Sequence, residues 1–353
     1  MNDRFVYDRA PQRVYWETTR ACDLACRHCR AEAAPEPDPA ELTPAEGLRL
    51  LDDLARFGAP LPHVVLTGGD PLKRADLWAL IAHAQAVGLG VSVAPSGTPL
   101  LTPAAIQRLK AAGVDAISLS LDGASAARHD ALRGVPGCFE RTLVAATAAR
   151  EAGLPFQVNT LVSEETLEDL PAIHRLVGEI GATRWSLFFL IAVGRGSVLR
   201  PIDAETCERL LDWLAGLAGK GGPVITTTEA PQFRRVMLKR HRGDGDGRGR
   251  RTGHAAGIRD GNGIMFISHT GEINPSGFLP VLAGNARTDD VVKIYRESPV
   301  FAQLRRPDLF GGRCGVCEFH GHCGGSRARA WAATGDFTAE DPLCAYEPRP
   351  GAR

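Results

Sequence analysis

The chain has 353 residues, 44% of them apolar and 23% charged, which is the balance of a folded globular protein and excludes disorder over most of its length. Lys plus Arg and Asp plus Glu each number 41, so the net charge gives no footprint for a nucleic-acid backbone or an anionic membrane. No apolar run approaches the roughly 18 residues of a membrane span, and Met1 to Ala10 lacks the apolar centre of a secretory signal; the expectation is a cytoplasmic protein.

From the start to about residue 220, apolar β-rich runs alternate with helical spacing. Strands are expected at Val14–Thr18, His63–Thr67, Gly90–Ala94, Ala116–Leu121, Phe156–Val162 and Trp185–Ile191. Helices are expected between them at Pro44–Phe57, Ala75–Val87, Pro103–Ala112, Phe139–Ala152 and Leu167–Ile180, with Asp203–Ala218 after the last strand. Thr43-Pro44 and Thr102-Pro103 supply an N-cap followed by a first-turn proline. Six strand–helix pairs in series imply parallel strands with right-handed crossovers, and six are too few to close an eight-strand barrel. The fold class is therefore α/β, an open (β/α)6 partial TIM barrel with its site at the C-terminal ends of the strands.

The barrel is read as residues 1–220, and the pattern breaks near residue 240. Residues 221–257 read as a linker, with His241–His254 as a mobile surface loop. Ile264–Ser268 and Glu272–Asn274 flank Thr270-Gly271 as a hairpin, and a short helix follows at Asp289–Glu297. Residues 258–353 are expected to form a small domain held together by metal, because it has little core of its own.

Seven of the nine cysteines are clustered, which in a reducing cytosol reads as metal binding rather than disulfides. Cys22, Cys26 and Cys29 have C-x3-C-x2-C spacing directly after the first strand. Three thiolates can hold three irons of a [4Fe–4S] cubane and leave the fourth iron open. A structural zinc site would want a fourth ligand, which His28 is poorly placed to give. In the tail, Cys314, Cys317, Cys323 and Cys344 are spaced C-x2-C-x5-C-x20-C, a set of thiolates that suits zinc or a fully ligated [4Fe–4S] cluster. Cys138 and Cys207 stand alone and read as buried apolar residues.

The cysteine loop after the first strand resembles that of the radical S-adenosylmethionine (radical SAM) superfamily. Further turns agree along residues 13 to about 200. Thr67-Gly68-Gly69-Asp70-Pro71 is similar to the family's G-G-E-P motif, with Asp70 in place of the commoner Glu. Ser96-Gly97 is similar to its S-T-N-G turn without the Asn, and Ser118-Leu119-Ser120-Leu121-Asp122-Gly123 to its S-L-D-G. The resemblance implies an enzyme in which Cys22, Cys26 and Cys29 carry the catalytic cluster. It also implies SAM contacts at Gly68, Gly69, Asp70, Ser96, Ser120, Asp122, Asn159 and Leu190, and possible use of Arg195 on the SAM carboxylate. Such an enzyme cleaves SAM reductively and abstracts hydrogen from its substrate with the resulting 5′-deoxyadenosyl radical, and it draws electrons from a flavodoxin- or ferredoxin-type reductant.

The tail resembles the twitch and SPASM domains, which hold auxiliary [4Fe–4S] clusters. The count of cysteines favours the single-cluster twitch form. Pro275-Ser276-Gly277-Phe278-Leu279-Pro280 and Cys323-Gly324-Gly325-Ser326-Arg327-Ala328-Arg329-Ala330 are similar to the radical SAM enzymes of the alternative haem and haem d1 pathways. This implies a carboxylate-bearing tetrapyrrole as substrate, with Arg195, Arg200, Arg327 and Arg329 as candidate carboxylate partners. The alternative is a peptide maturase, which commonly carries an added N-terminal peptide-binding domain; here only Met1 to Arg13 precede the first expected strand.

Overall fold

The computed structural model describes residues 6–243 and 257–349. The expected loop His241–His254 falls almost wholly outside them.

Seven parallel strands run in sequence order: β1 (Arg13–Glu17), β2 (His63–Thr67), β3 (Val91–Val93), β4 (Ala116–Ser120), β5 (Phe156–Val162), β6 (Arg184–Phe189) and β7 (Val224–Thr228). Helices fill the crossovers, at Pro44–Ala55, Leu77–Ala86, Pro103–Ala111, Ala126–Arg133, Cys138–Glu151, Leu170–Glu179 and Ala204–Leu217. The first of these is started by a full capping box. Thr43 Oγ1 accepts from the Glu46 amide at 3.3 Å, and the Glu46 carboxylate accepts from the Thr43 amide at 2.8 Å.

The barrel is larger than the expected six strands. β7 lies inside the segment read as linker and pairs with β6 from Val224 to Thr228. The helix Gln232–Gly243 follows it. The tail contributes more than a hairpin. β8 (Ile264–Ile267) pairs in parallel with β1, from Arg13↔Ile264 to Trp16↔Ile267. β9 (Glu272–Asn274) and β10 (Gly284–Asn285) extend that edge antiparallel. The order β10-β9-β8-β1-β2-β3-β4-β5-β6-β7 leaves an open sheet, so the barrel is partial as expected although eight parallel strands take part.

One apolar core serves both halves. Trp16, Trp185 and Leu66 from the barrel join Ile273, Tyr295, Phe301 and Leu343 from the tail in a single buried cluster. Each such side chain contributes roughly 2 kcal/mol by leaving water. The tail is thus anchored by shared packing, which the expectation of a nearly coreless domain understated. No helix among the described residues is long and apolar enough to cross a membrane.

Candidate functional site

The loops after β1 to β6 enclose a cavity of about 240 Å³ at the C-terminal mouth of the barrel. Cys22, Cys26 and Cys29 line it together with Gly68, Gly69, Ser96, Ser120, Asp122, Asn159, Leu190 and Arg195. Of the sequence-derived SAM contacts only Asp70 is withheld from this cavity. Its carboxylate is wholly buried and accepts from Thr98 Oγ1 at 2.6 Å and from the Leu72 and Ser96 amides at 3.1 and 3.3 Å. Asp70 therefore ties the turn after β2 to the turn after β3, and its side chain positions the neighbouring residues rather than meeting a ligand.

The glycine turn serves the cysteine loop directly. The Gly69 and Asp70 amides donate to the Thr19 and Ala21 carbonyls at 2.7 Å each. A Cβ on Gly68 would lie 2.3 Å from Thr19 O, and one on Gly69 would lie 2.4 Å from Ala21 O. Glycine is required here because two backbones touch.

Cys22 and Cys26 are buried and Cys29 is partly exposed. Backbone N–H groups point at two of the sulfurs, Leu24 at Cys22 (3.4 Å) and Ala33 at Cys29 (3.5 Å). Arg133 Nη1 approaches Cys26 Sγ at 3.7 Å. Such donors favour thiolate and the negative charge of an iron–sulfur centre. Among the described residues no three Cys, His, Asp or Glu groups are grouped so as to hold a single metal ion; the three thiols line the cavity.

Arg133 also forms a short ion pair with Asp122, whose other oxygen accepts from the Leu161 amide at 2.6 Å. Burial works to raise the Asp122 pKa, but the Arg133 guanidinium outweighs it and holds the carboxyl below its usual range. Arg133 sits on the helix Ala126–Arg133, which periodicity did not reveal. Next to it, burial pushes the His28 pKa down to about 4, so the ring is neutral and its Nδ1 lacks a partner. Asn159 accepts from Gln157 Nε2 at 2.9 Å and still borders the cavity, unlike a core asparagine.

Arg195 is clamped to the cysteine loop. Its Nε and Nη1 donate to the carbonyls of Cys26 and Ala33 at 3.0 Å each, and its buried Nη2 has no partner. An unpartnered guanidinium nitrogen beside three thiols suits the carboxylate of a ligand bound to an open iron.

In the tail, Cys314, Cys317, Cys323 and Cys344 line a second cavity with Arg235, Arg313 and Gly325. The amides of Asp341 and Phe319 donate to Cys314 and Cys317 at 3.4 Å each. Arg327 Nη2 lies 3.5 Å from Cys314 Sγ. Burial pushes the Cys323 and Cys344 thiols up to about 12 and about 11. Bound metal reverses such shifts by taking the thiolate. Cys138 and Cys207 are buried in apolar surroundings, Cys138 beside Cys22 and Cys26.

The tail arginines do not form a basic mouth. Arg327 is fully buried, donates to Phe337 O and Ala339 O at 3.0 and 2.6 Å, and stacks on Phe310 at 4.4 Å. Arg329 is buried against Asp341 at 3.3 Å. Arg200 points outward, 77% exposed, and pairs with Glu164. None of the three borders the barrel cavity. Of the arginines that do border it, sequence reasoning passed over Arg30 and Arg133; the signal for Arg30 was its place directly after Cys29.

β7 and the tail meet at a second unexpected group. Glu229 has a left-handed backbone (φ +58°) and is hydrogen-bonded to buried Asp260. Ser326 Oγ donates to Glu229, and the Ala328 amide donates to Asp260 at 3.1 Å. Burial first, and then the like charge of Asp260, raise the Glu229 pKa, so the pair keeps a proton. The unfolded chain releases that proton in the ordinary carboxyl range while the folded chain retains it. This contribution to stability therefore declines as pH rises through the interval between the two values. Urea unfolding between about pH 5 and 8 is expected to show a flatter decline for Glu229→Gln than for wild type; parallel slopes would remove the shared proton.

The fold and the site define a class: a partial α/β barrel with three cysteine thiols lining the cavity at its C-terminal mouth. Comparison with known proteins makes the class specific. A family model described as "Radical SAM superfamily" matches residues 16–177. An AdoMet-dependent heme synthase of Nitratidesulfovibrio vulgaris is 41% identical over 95% of this chain and 92% of its own length. A pre-heme d1 synthase of Dinoroseobacter shibae is 30% identical over 94% and 85%. Among solved structures, native anSMEcpe with bound AdoMet and Cp18Cys peptide superposes with TM-score 0.72 at 14% identity, over 95% of this chain and 94% of that one. That identity speaks for the fold alone. The chain belongs to the radical SAM superfamily; it is an enzyme that uses SAM and a [4Fe–4S] cluster.

Proposed function

We propose that the chain modifies carboxylate side chains of an iron tetrapyrrole in haem-type biosynthesis, with a second, auxiliary [4Fe–4S] cluster in the tail. The observation that carries this reading is the 41% identity to a heme synthase across both halves of the chain, tail included. A peptide substrate is the alternative, since a PqqA peptide cyclase of Granulibacter bethesdensis is 28% identical over 96% of the chain.

In this reading Cys22, Cys26 and Cys29 hold the SAM-binding cluster. When bound, SAM and that cluster supply a 5′-deoxyadenosyl radical that abstracts hydrogen from the substrate. The chain's own residues seat and shield the reactants. Gly68, Gly69, Ser96, Ser120, Asp122 and Asn159 would give SAM the polar lining of its seat and Leu190 the apolar side. The unpartnered Nη2 of Arg195 would take the SAM carboxylate. Buried Leu190 and Ile191 give the site an apolar wall. Cys314, Cys317, Cys323 and Cys344 hold the auxiliary cluster, and a flavodoxin- or ferredoxin-type protein in the cytoplasm supplies electrons.

Elemental analysis of anaerobically purified protein tests the tail directly. About eight irons and eight sulfides per chain are expected, four for each cubane; one zinc with about four irons would overturn the auxiliary cluster. Absorption titration tests the substrate. An iron tetrapyrrole with free carboxylates is expected to bind below about 0.1 mM, and no binding at that level puts the peptide reading ahead.

A further inference from the structure

Three arginines border the barrel cavity, and two are already engaged. Arg133 is held by Asp122 and Cys26, and Arg195 by the carbonyls of the cysteine loop. Arg30 is different. Its Nη2 donates to Glu17 at 2.6 Å and its guanidinium lies over the Phe266 ring, 4.6 Å from the centroid. Nε and Nη1 make no hydrogen bond among the described residues and are not sealed from solvent, the side chain being 23% exposed.

The support behind Arg30 is built from three elements. Glu17 ends β1 with its side chain only 4% exposed. Its second oxygen is 2.8 Å from His269 Nδ1, in the turn between β8 and β9. His269 Nε2 reaches Asp38 at 3.4 Å. Glu17 is thus fixed from both sides. An arginine stacked on a ring and held along one edge has lost its rotamer freedom before any ligand arrives. Gly277 leaves it little slack, since a Cβ there would sit 3.1 Å from Arg30 Nε and 3.2 Å from the Phe266 ring. Phe278, Leu190 and Ile191 line the same cavity, so one fixed cation stands beside an apolar surface.

We propose that Arg30 anchors a carboxylate of the substrate at the barrel mouth, and that Glu17 and His269 are its positioning residues. The proposal rests on the reading of the substrate as a carboxylate-bearing tetrapyrrole. The fixed cation and the apolar wall beside it suit the edge of a flat apolar ring that carries anionic arms, and the remaining N–H groups of Arg30 donate to one arm.

The test titrates anaerobically reconstituted protein with an iron tetrapyrrole bearing free carboxylates and with its methyl ester, followed by absorption. Wild type is expected to prefer the acid. Arg30→Gln is expected to weaken the acid by at least about tenfold and leave the ester unchanged. Arg30→Lys is expected to recover part of the loss, since it restores the charge without the planar fork. His269→Asn, placed away from the cysteine loop, is expected to raise KM for the acid severalfold with little change in kcat. Iron content is measured for each variant. If Arg30→Gln loses iron, Arg30→Lys and His269→Asn carry the comparison. Acid affinity equal to wild type in the iron-replete variants, or equal loss for acid and ester, overturns the anchor. If wild type binds neither compound, the substrate reading falls and the anchor with it.

Discussion

Alanine at Cys22, Cys26 and Cys29 together is expected to abolish SAM cleavage and to halve the iron. The three thiols come from one short loop, and that loop is built around them. The amides of Leu24 and Ala33 address two of the sulfurs, and the glycine turn after β2 packs against the Thr19 and Ala21 carbonyls. Cys138 packs beside Cys22 and Cys26 at the start of the helix Cys138–Glu151. Reconstituted protein is expected to fall from about eight irons to about four, with no 5′-deoxyadenosine formed under dithionite. Alanine at Cys314, Cys317 and Cys323 gives the complementary result: about four irons, and residual 5′-deoxyadenosine uncoupled from substrate. SAM cleavage that persists in the first triple variant would take the catalytic cluster away from that loop.

Gly69→Val is expected to cost more than a weakened ligand contact. A side chain at Gly69 meets the Ala21 carbonyl at 2.4 Å and the Arg20 carbonyl at 2.6 Å, both backbone atoms of the cysteine loop. Neither can move without shifting Cys22. The variant therefore loses SAM affinity by more than about tenfold and loses iron as well, the outcome of overpacking against backbone. The sequence reading gave Gly69 a SAM contact; the structure adds a clash with the cysteine loop itself. Measuring iron and SAM binding on the same sample separates the two. Full iron with weak SAM points to the cofactor alone, and normal SAM affinity removes the turn from the site.

Much of the barrel was legible because buried parallel strands between capped amphipathic helices leave a strong periodic signal. β2 and β5 were placed to the residue, at His63–Thr67 and Phe156–Val162. β7 was missed because Val224–Thr228 follows Gly221, Gly222 and Pro223, which read as linker. Its identity as a strand comes from β6, not from local sequence. β8 was read only as half of a hairpin, since its partner β1 lies some 250 residues away in the chain. A pairing of that range has no local signature.

The site divided in the same way. Cysteine spacing and the glycine turn are local, and the structure brings both to one cavity. Side-chain direction is not local. Asp70 turns into the fold because Thr98 and two amides meet it there. Arg327 looked like a surface cation, and it is buried because Phe310 and two carbonyls surround it. Arg30 needed β1, β8 and the turn after β8 together before its role could be seen.

Deuterium transfer is the most direct measurement of the function proposed for this chain. Reconstituted protein is incubated with SAM, dithionite and an iron tetrapyrrole deuterated in its carboxylate side chains. Mass spectrometry is expected to find deuterium in 5′-deoxyadenosine and a matching loss of mass from the tetrapyrrole. Unlabelled 5′-deoxyadenosine with every tetrapyrrole unchanged in mass would contradict a tetrapyrrole substrate.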